Sequence, residues 1–424
     1  MTDANALFPG PQSPSAQPAS PHPASPLFAG PQPASPQPAN PLIAGPLFPS
    51  PPRLLAVGEP THGSEPLLRQ RNDLFRSLVE RHGYRTIAIE SDCLMGLIVD
   101  EYVSGGAGML DDVMKRGFSH EWGALAGNRE LVQWMREHNT GRDATARIRF
   151  AGFDGPLEIT AAASPREALL GLRSVCASAL PPSSASSPSS PSSPALPSAQ
   201  ELDELLGEDE RWTNPAAMMD PSQSIGRTAE ALRLRVLADE MAGLLEAWTP
   251  QLGAHLDRAR LYARTALGLL RYHYAMADTS PDRIERLLGV RDSMMAANLL
   301  ALADRGPTLA NGQNAHFQRH KSSMRMGGRQ VEWWSAGAIA GVHLGTAYGF
   351  LAGAAGTIRA HGVEVPPPDT VEGALYALSL PEGRFVGRVT ETPGAARVSP
   401  WFGYAPLDPS HLGDVDGIVF VKDA

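Results

Sequence analysis

The ten residues LLAVGEPTHG, at positions 54–63, decide the fold of this 424-residue chain. Four apolar residues, 54–57, lead directly into Gly58, Glu59 and a loop that carries His62. A short apolar run that ends in turn residues is typical of a buried parallel strand. Ligands of open α/β sheets bind outside the carboxyl ends of such strands. The stretch therefore predicts a sheet with Glu59 and His62 at its ligand-binding edge.

Strands and helices alternate on the C-terminal side of this stretch. Apolar spacing predicts a helix over residues 65–82, a strand over 86–89, helices over 93–103 and 128–138, and a strand over 148–153. It also predicts long helices over 224–248, 253–276 and 281–303, and strands over 307–310 and 417–421. Because strand–helix–strand units join parallel strands, we predict an α/β fold with a mainly parallel sheet flanked by helices.

Two segments of low complexity divide the chain. Residues 1–52 are rich in Pro, and residues 180–200 are almost only Ser, Pro and Ala. Such segments bury too little apolar surface to fold, so we predict a disordered tail, removable up to residue 50, and a disordered insertion. The predicted organisation is a tail at 1–52, a first part of the catalytic core at 53–158, a helical insertion at 159–288 and a second part of the core at 289–424.

Composition and charge exclude some partners. The net charge of −9 lacks the basic excess that nucleic-acid binding requires, so we expect no nucleic-acid partner. Residues 335–358 contain no charged side chain, but they are rich in Gly, and we predict a short helix, a turn near Gly345 and a buried strand through residue 351 rather than a membrane span. The first residues lack the pattern of a secretory signal, so we expect a cytoplasmic protein.

Polar groups follow four of the predicted strands. Glu59 and His62 follow the first strand, Glu90 and Asp92 the second, Asp154 the third and His316 the fourth. Since the carboxyl ends of parallel strands share one edge of the sheet, we expect these side chains to converge there. Arg71, on the first predicted helix, is placed to reach back toward the carboxylates.

These residue types suit hydrolysis by an activated water molecule. A neutral imidazole takes a proton from water near neutral pH, and a neighbouring carboxylate orients the ring and stabilises the imidazolium. Arginine neutralises paired carboxylates or stabilises an oxyanion. Two alternatives stay open: a zinc or manganese site built from Glu59, His62, Glu90 and His316, and a non-catalytic protein that binds a small molecule in the same cleft. The chain has no HExxH, GxSxG or phosphate-loop motif.

The motifs of the first two predicted strands resemble the erythromycin esterase family. The resemblance lies in the sequence VGEPTHG at 57–63, Arg71 nine residues after His62, and the sequence IAIESD at 87–92. Further similar blocks lie at 134–139, 152–154, 291–298 and 314–316, so that the resemblance extends over about residues 53–421.

The resemblance implies an α/β enzyme with a helical region around a deep cleft, which hydrolyses the lactone of macrolide antibiotics, confers resistance and needs no metal or other cofactor. His62 would be the general base, with Glu59 and Glu90 orienting it, Arg71 supporting the cluster and His316 as the second histidine. We expect a small ester or lactone substrate to contact four further residues at the strand ends: Asp92, Asp154, Gln313 and Asn314.

The sequence departs from the family pattern at two places. The first histidine of the family's His-Asn-Ala-His motif is Gln313 here, and glutamine donates a hydrogen bond but does not shuttle a proton. The aromatic and arginine-rich stretch of the family is replaced by SHEWGA at 119–124. Both departures imply an altered substrate or an altered reaction centre.

Overall fold

The computed structural model of the chain describes residues 47–158, 161–179, 196–326, 328–389 and 394–424, together with the paired two-residue strands Thr2–Asp3 and Ser25–Pro26. Most of the predicted tail at 1–52 and most of the predicted Ser/Pro insertion at 180–200 therefore lie outside the described residues.

The strands of the described core are, in chain order, β1 (Leu54–Glu59), β2 (Thr86–Asp92), β3 (Arg149–Asp154), β4 (Thr308–Gln313), β5 (Lys321–Met326), β6 (Arg329–Trp334), β7 (Tyr348–Thr357), β8 (Arg384–Gly387) and β9 (Gly417–Asp423). The central sheet has seven strands in the order β8-β9-β7-β1-β4-β2-β3. Neighbours run parallel except β8, which is antiparallel to β9, whereas β5 and β6 form a separate antiparallel hairpin. The prediction of a mainly parallel sheet is confirmed.

The α-helices of the described core are α1 (Glu65–His82), α2 (Gly96–Val103), α3 (Leu110–Arg116), α4 (Ala126–Asn139), α5 (Arg166–Ala179), α6 (Ala199–Leu206), α7 (Ala229–Ala247), α8 (Thr249–Leu252), α9 (Leu256–Met276), α10 (Arg283–Arg305), α11 (Asn314–Phe317), α12 (Ala336–Leu344) and α13 (Val371–Tyr376). Each helix predicted from apolar spacing is present, with ends that differ by a few residues. In the part of the chain that is described, no helix is both long and apolar enough to cross a membrane.

The alternation of side chains in β1 explains why the sheet has helices on both faces. Leu55 and Val57 belong to the apolar cluster on one face, and Leu54 and Ala56 belong to the cluster on the other. All four are buried, as expected for a strand in the middle of a parallel sheet. Both faces of β1 are covered. Glu59, the last residue of β1, therefore lies where the strand ends, at the edge of the sheet.

The uncharged segment 335–358 forms α12 and then β7, with the turn at Gly345, as predicted. Gly353 of β7 has a clear packing role. A Cβ at Gly353 would lie 2.2 Å from the carbonyl oxygen of Gly58, so only glycine lets β7 pass this close to the end of β1.

The prediction of disorder up to residue 52 is wrong at the end of the tail. Leu47 and Phe48 are buried in the same cluster as Leu55 and Val57. A Cβ at Gly349 would lie 2.8 Å from the Phe48 ring, and one at Gly417 would lie 2.8 Å from the Leu47 side chain. Two large apolar side chains among the prolines suffice to hold this segment against the sheet, because each removes apolar surface from water.

Phe48→Ala should therefore destabilise the protein. We expect the free energy of unfolding to fall by about 3–5 kcal/mol, because the substitution removes a buried ring and leaves a cavity against Gly349. Urea denaturation of the full-length chain measures the change. Val398→Ala, at an exposed position, is the control and should change stability by less than about 0.5 kcal/mol. An unchanged urea midpoint for Phe48→Ala would show that the end of the tail does not pack on the core.

Two of the boundaries predicted for the helical insertion fall inside helices. The disordered segment was expected to reach residue 200, but α6 begins at Ala199, where Ser198 caps the helix by accepting from the amide of Glu201. Leu202 and Leu206 then bury one face of α6. The predicted boundary at 288/289 lies inside α10, and the division of the core on either side of the insertion stays a prediction.

Candidate active site

His62 and Glu59 form a hydrogen-bonded pair directly after β1. The Nδ1 atom of His62 lies 2.7 Å from Glu59 Oε1, and because an ionised carboxylate only accepts, Nδ1 carries the proton. In the described part of the chain, no group hydrogen-bonds to Nε2 of His62. The His62 side chain is 37% exposed, whereas that of Glu59 is 6% exposed. The pair thus combines a partly exposed imidazole with a buried carboxylate.

The surroundings of His62 favour its protonated form. Burial disfavours the imidazolium, but the hydrogen bond to Glu59 and the charges of Glu90 and Glu59 outweigh burial and raise the pKa of His62 above its ordinary value. The charge of His316 acts in the opposite direction. Because the charges of Glu90 and His316 both act on the pKa of His62, we treat the three side chains as parts of one site.

Glu90 and His316 form the second part of the site. His316 Nε2 lies 3.2 Å from Glu90 Oε1, and His316 Nδ1 lies 3.0 Å from Asp292 Oδ1. All three side chains are buried. Burial opposes the charged ring, but the two carboxylates raise the pKa of His316 to about 10, and His316 in turn helps to hold the pKa of Glu90 well below its usual range. The surroundings of His316 therefore favour its charged form, with Nδ1 hydrogen-bonded to Asp292 and Nε2 beside Glu90.

Arg291 supplies the cation that the sequence analysis assigned to Arg71. Its guanidinium binds Asp154 through Nη2 at 2.6 Å and Nε at 3.1 Å, and Nη2 also lies 3.5 Å from Glu90 Oε1. Burial works against the charge, but Asp154 and Glu90 raise the pKa of Arg291 above its usual range. Asp154 is thus engaged by Arg291 and by the amide of Gly155, rather than directed at a substrate.

Arg71 binds amide oxygens instead of carboxylates. Its guanidinium donates to the side-chain oxygens of three asparagines, Asn72, Asn128 and Asn311, at 2.8–3.2 Å. Within the described residues it forms no ion pair, although it shares a cavity of about 10 Å³ with Glu59. Burial lowers the pKa of Arg71 to about 10, while the charge of Glu59 opposes that fall. Arg71 does reach back to a position beside Glu59, as expected, but it binds asparagine side chains rather than a carboxylate.

Two of the residues expected to contact a substrate, Asp92 and Asn314, bind backbone groups with their side chains instead. Asp92 accepts from the amides of Leu94 and Met95 at the start of α2, and burial raises its pKa to about 6. The side-chain amide of Asn314 bonds both the amide and the carbonyl of Gly353 at 2.8 Å, joining β4 to β7. The amide of Gln313 donates to Glu90 Oε2 at 2.7 Å, and its half-buried side chain is the part left for a substrate.

Two tryptophans complete the site, and neither was singled out from the sequence. Trp333 of the β5–β6 hairpin donates from Nε1 to Asp292 Oδ2 at 2.8 Å. The Trp122 ring lies 5.0 Å from the His62 ring, between centroids. The block at 291–298 in the family resemblance already contains Arg291 and Asp292, so that signal was present, whereas nothing in the local sequence indicates either tryptophan.

The candidate site is identified by its cluster of charged side chains and not by a large cavity. A cavity of about 250 Å³ opens beside the end of β4, where Asn314, His320 and His411 are among its lining residues. None of Glu59, His62, Glu90 or His316 lines it. Among the described residues, no group of three or more His, Cys, Asp or Glu side chains is arranged to hold a metal ion. In the protonated state of His316, neither of its ring nitrogens has a lone pair for a metal.

Comparison with known proteins agrees with this fold. The sequence model of the family described as Erythromycin esterase matches residues 79–415, a range that includes Glu90 and His316 but begins after His62 and Arg71. No curated protein matches the chain.

Solved structures of similar fold are distant in sequence. A protein from Bacillus cereus is 15% identical with a TM-score of 0.65, covering 88% of this chain and 89% of its own. A succinoglycan biosynthesis protein is 14% identical with a TM-score of 0.61, covering 88% of each chain. A mutant of the erythromycin esterase EreC in its open conformation is 16% identical with a TM-score of 0.55, covering 88% of this chain and 91% of its own. At such low identity, these likenesses concern the fold alone.

Proposed function

The chain belongs to the erythromycin esterase family, and on that premise we propose that it hydrolyses a carboxylic ester or lactone with a water molecule that His62 activates. One observation carries the proposal: Glu59 holds Nδ1 of His62 at 2.7 Å, and no described residue bonds to Nε2. In its neutral form, a ring oriented in this way keeps a lone pair on Nε2, at the edge of the sheet where ligands of such folds bind.

The direction of proton transfer follows from the position of the proton on the His62 ring, which is on Nδ1 and not on Nε2. Nε2 of His62 takes a proton from water as the water oxygen attacks the acyl carbon. Glu59 stabilises the imidazolium that forms, because its carboxylate accepts from Nδ1 throughout. The charge of Glu90 acts in the same direction, since it also raises the pKa of His62. Arg71, buried beside Glu59, offsets the negative charge on that side of the site.

We further propose a lactone of the macrolide class as the substrate, on the basis of family membership. The test is incubation with a panel of macrolides and of simple alkyl and aryl esters, followed by mass analysis of the products. Hydrolysis adds one water to a lactone, or splits an ester into acid and alcohol. Tight binding without any product would favour a sequestering protein, and loss of all turnover on chelation would favour a metal-dependent hydrolase.

The variant Glu59→Gln tests the His62–Glu59 pair by its effect on the pH dependence of kcat/KM. A general base acts in its neutral form, so kcat/KM should rise with pH through the pKa of His62, which lies above 6.5 in the folded protein. Removing the Glu59 carboxylate lowers that pKa, and the rise should move to lower pH. The plateau should also fall by roughly 10²-fold, because the imidazolium loses its stabilising charge.

The matched control for this profile is Glu240→Gln, since Glu240 is exposed on α7. The control should keep the wild-type profile and plateau. A Glu59→Gln profile that rises at the same pH as the wild type would contradict the assignment of the pair as the base.

A further inference from the structure

Ester hydrolysis needs a proton donor for the departing alkoxide as well as a base. Within the described site, His316 is unsuited to that role because carboxylates occupy both of its ring nitrogens. Arg71 is buried among asparagine oxygens. Gln313 has no acidic proton to give near neutral pH. His62, once protonated, can return its proton to the leaving group, as the base of a catalytic triad does. A separate acid would instead be a second imidazole beside His62.

Residues 117–124 precede α4 and pass beside the site. Contacts with β2 and α3 hold this segment in place. The amide of Ser119 donates to the Ser91 hydroxyl at 2.9 Å, and the Ser119 hydroxyl accepts from the amide of Asp92 at 3.0 Å. A Cβ at Gly123 would lie 1.8 Å from the carbonyl oxygen of Met114, so the segment packs directly on α3. These contacts attach the segment to the end of β2, next to Glu90.

His120 lies in this segment and forms a second imidazole–carboxylate pair. Its Nδ1 lies 2.8 Å from Glu158 Oε2, which follows β3. The Trp122 ring lies 5.4 Å from the His120 ring and 5.0 Å from the His62 ring, between centroids. The two imidazoles thus contact the same indole, and each has a carboxylate on Nδ1.

The fold gains little from the His120–Glu158 pair. The side chain of Glu158 is 55% exposed, and exposed ion pairs contribute little to stability. His120 and the next residue, Glu121, both have positive φ angles, 56° and 59°, which residues other than glycine rarely adopt. Strained backbone concentrates at functional sites, where it places a side chain that a relaxed turn would not. Stability alone therefore does not account for this arrangement.

We propose that His120, held by Glu158, is the catalytic acid that protonates the leaving alkoxide. This assignment rests on the proposed function. The water oxygen forms a bond to the acyl carbon as His62 takes its proton. His120 enters this step as an imidazolium, with its Nδ1 proton toward Glu158. When the tetrahedral intermediate collapses, the bond from the acyl carbon to the alkoxy oxygen breaks, and its electron pair takes the Nε2 proton of His120. The proton held by His62 then returns to His120 through solvent, leaving an acid and an alcohol.

The dependence of kcat on the leaving group of the ester tests the assignment of His120 as the acid. An alkyl alkoxide needs a proton to depart, whereas a nitrophenolate does not. His120→Asn removes the acid but keeps a residue that tolerates positive φ. We expect its kcat for alkyl esters to fall by about 10²-fold or more, with little change for nitrophenyl esters of the same acid.

Two further variants separate chemistry from structure. His120→Gly also suits a positive φ and should fold at least as stably as the wild type, and added imidazole should restore part of its turnover of alkyl esters. His255→Gln, at an exposed position, is the control and should keep both activities. An equal fall for alkyl and nitrophenyl esters, or no fall for either, would overturn the assignment. Absence of turnover by the wild type on every ester would overturn the proposed function and this inference with it.

Discussion

His62→Gln should lower kcat for ester or lactone hydrolysis by about 10²–10⁴-fold, the contribution typical of a positioned general base. Glutamine has a similar reach and keeps a hydrogen-bonding group near Glu59, but it does not take a proton from water. KM should change little, because the imidazole acts on the water molecule and not on the bound substrate. Steady-state kinetics on the substrate found in the panel measure both quantities.

The fold should survive this substitution. The His62 side chain is 37% exposed, so its loss leaves little unpaired or empty space in the core. The melting temperature of His62→Gln should therefore stay near that of the wild type, and His255→Gln should match the wild type in both rate and stability. Equal values of kcat for His62→Gln and the wild type would remove His62 from the mechanism.

His316→Gln should strongly destabilise the folded protein. The imidazolium of His316 lies between the buried carboxylates of Glu90 and Asp292, and its removal leaves both without that partner. Breaking a buried charged network costs about 3–5 kcal/mol, because the remaining charges stay desolvated. The free energy of unfolding in urea at pH 7 should fall by that amount. His255→Gln should change it by less than about 0.5 kcal/mol.

The same network predicts how stability depends on pH. The pKa of His316 is raised from 6.5 to about 10 in the folded protein. The folded state therefore holds this proton more tightly than the unfolded state does. The contribution of His316 to stability is complete below pH 6.5 and is lost as pH rises toward about 10.

Measurement of the free energy of unfolding between pH 6 and pH 10 checks this expectation. The wild type should lose stability over this range more steeply than His316→Gln, which lacks the titrating group. Parallel curves for the two proteins would show that His316 is not held as a buried cation.

The strands of the sheet were predictable because their signal is local. Residues 54–57, 86–89 and 307–310 are short apolar runs bounded by turn residues, and each forms a strand of the sheet. The β5–β6 hairpin was not predicted because alternate residues of β5 are exposed and its sequence, KSSMRM, has no apolar run. Its stability comes from Val331 and Trp333 of β6, which are buried, and from the bond of Trp333 to Asp292.

The candidate site was predictable only in part. The residues at the strand ends, Glu59, His62, Glu90 and His316, do come together at one edge of the sheet, because parallel strands end on the same side. Their partners were not predictable in the same way. Arg291 and not Arg71 binds Glu90, since several arginines follow the strands in sequence and only the packing of α10 brings one within reach.

By itself the sequence determined six of the seven strands of the sheet, all except β8, and which reactive groups follow them, since apolar periodicity and chain order act over a few residues. Only the tertiary structure decided which remote groups pair: Asp292 with His316, Arg291 with Asp154, and Glu158 with His120. The physical reason is that pairing depends on distances set by packing between remote segments. It also depends on the cost of burying a charge, which only a close partner offsets.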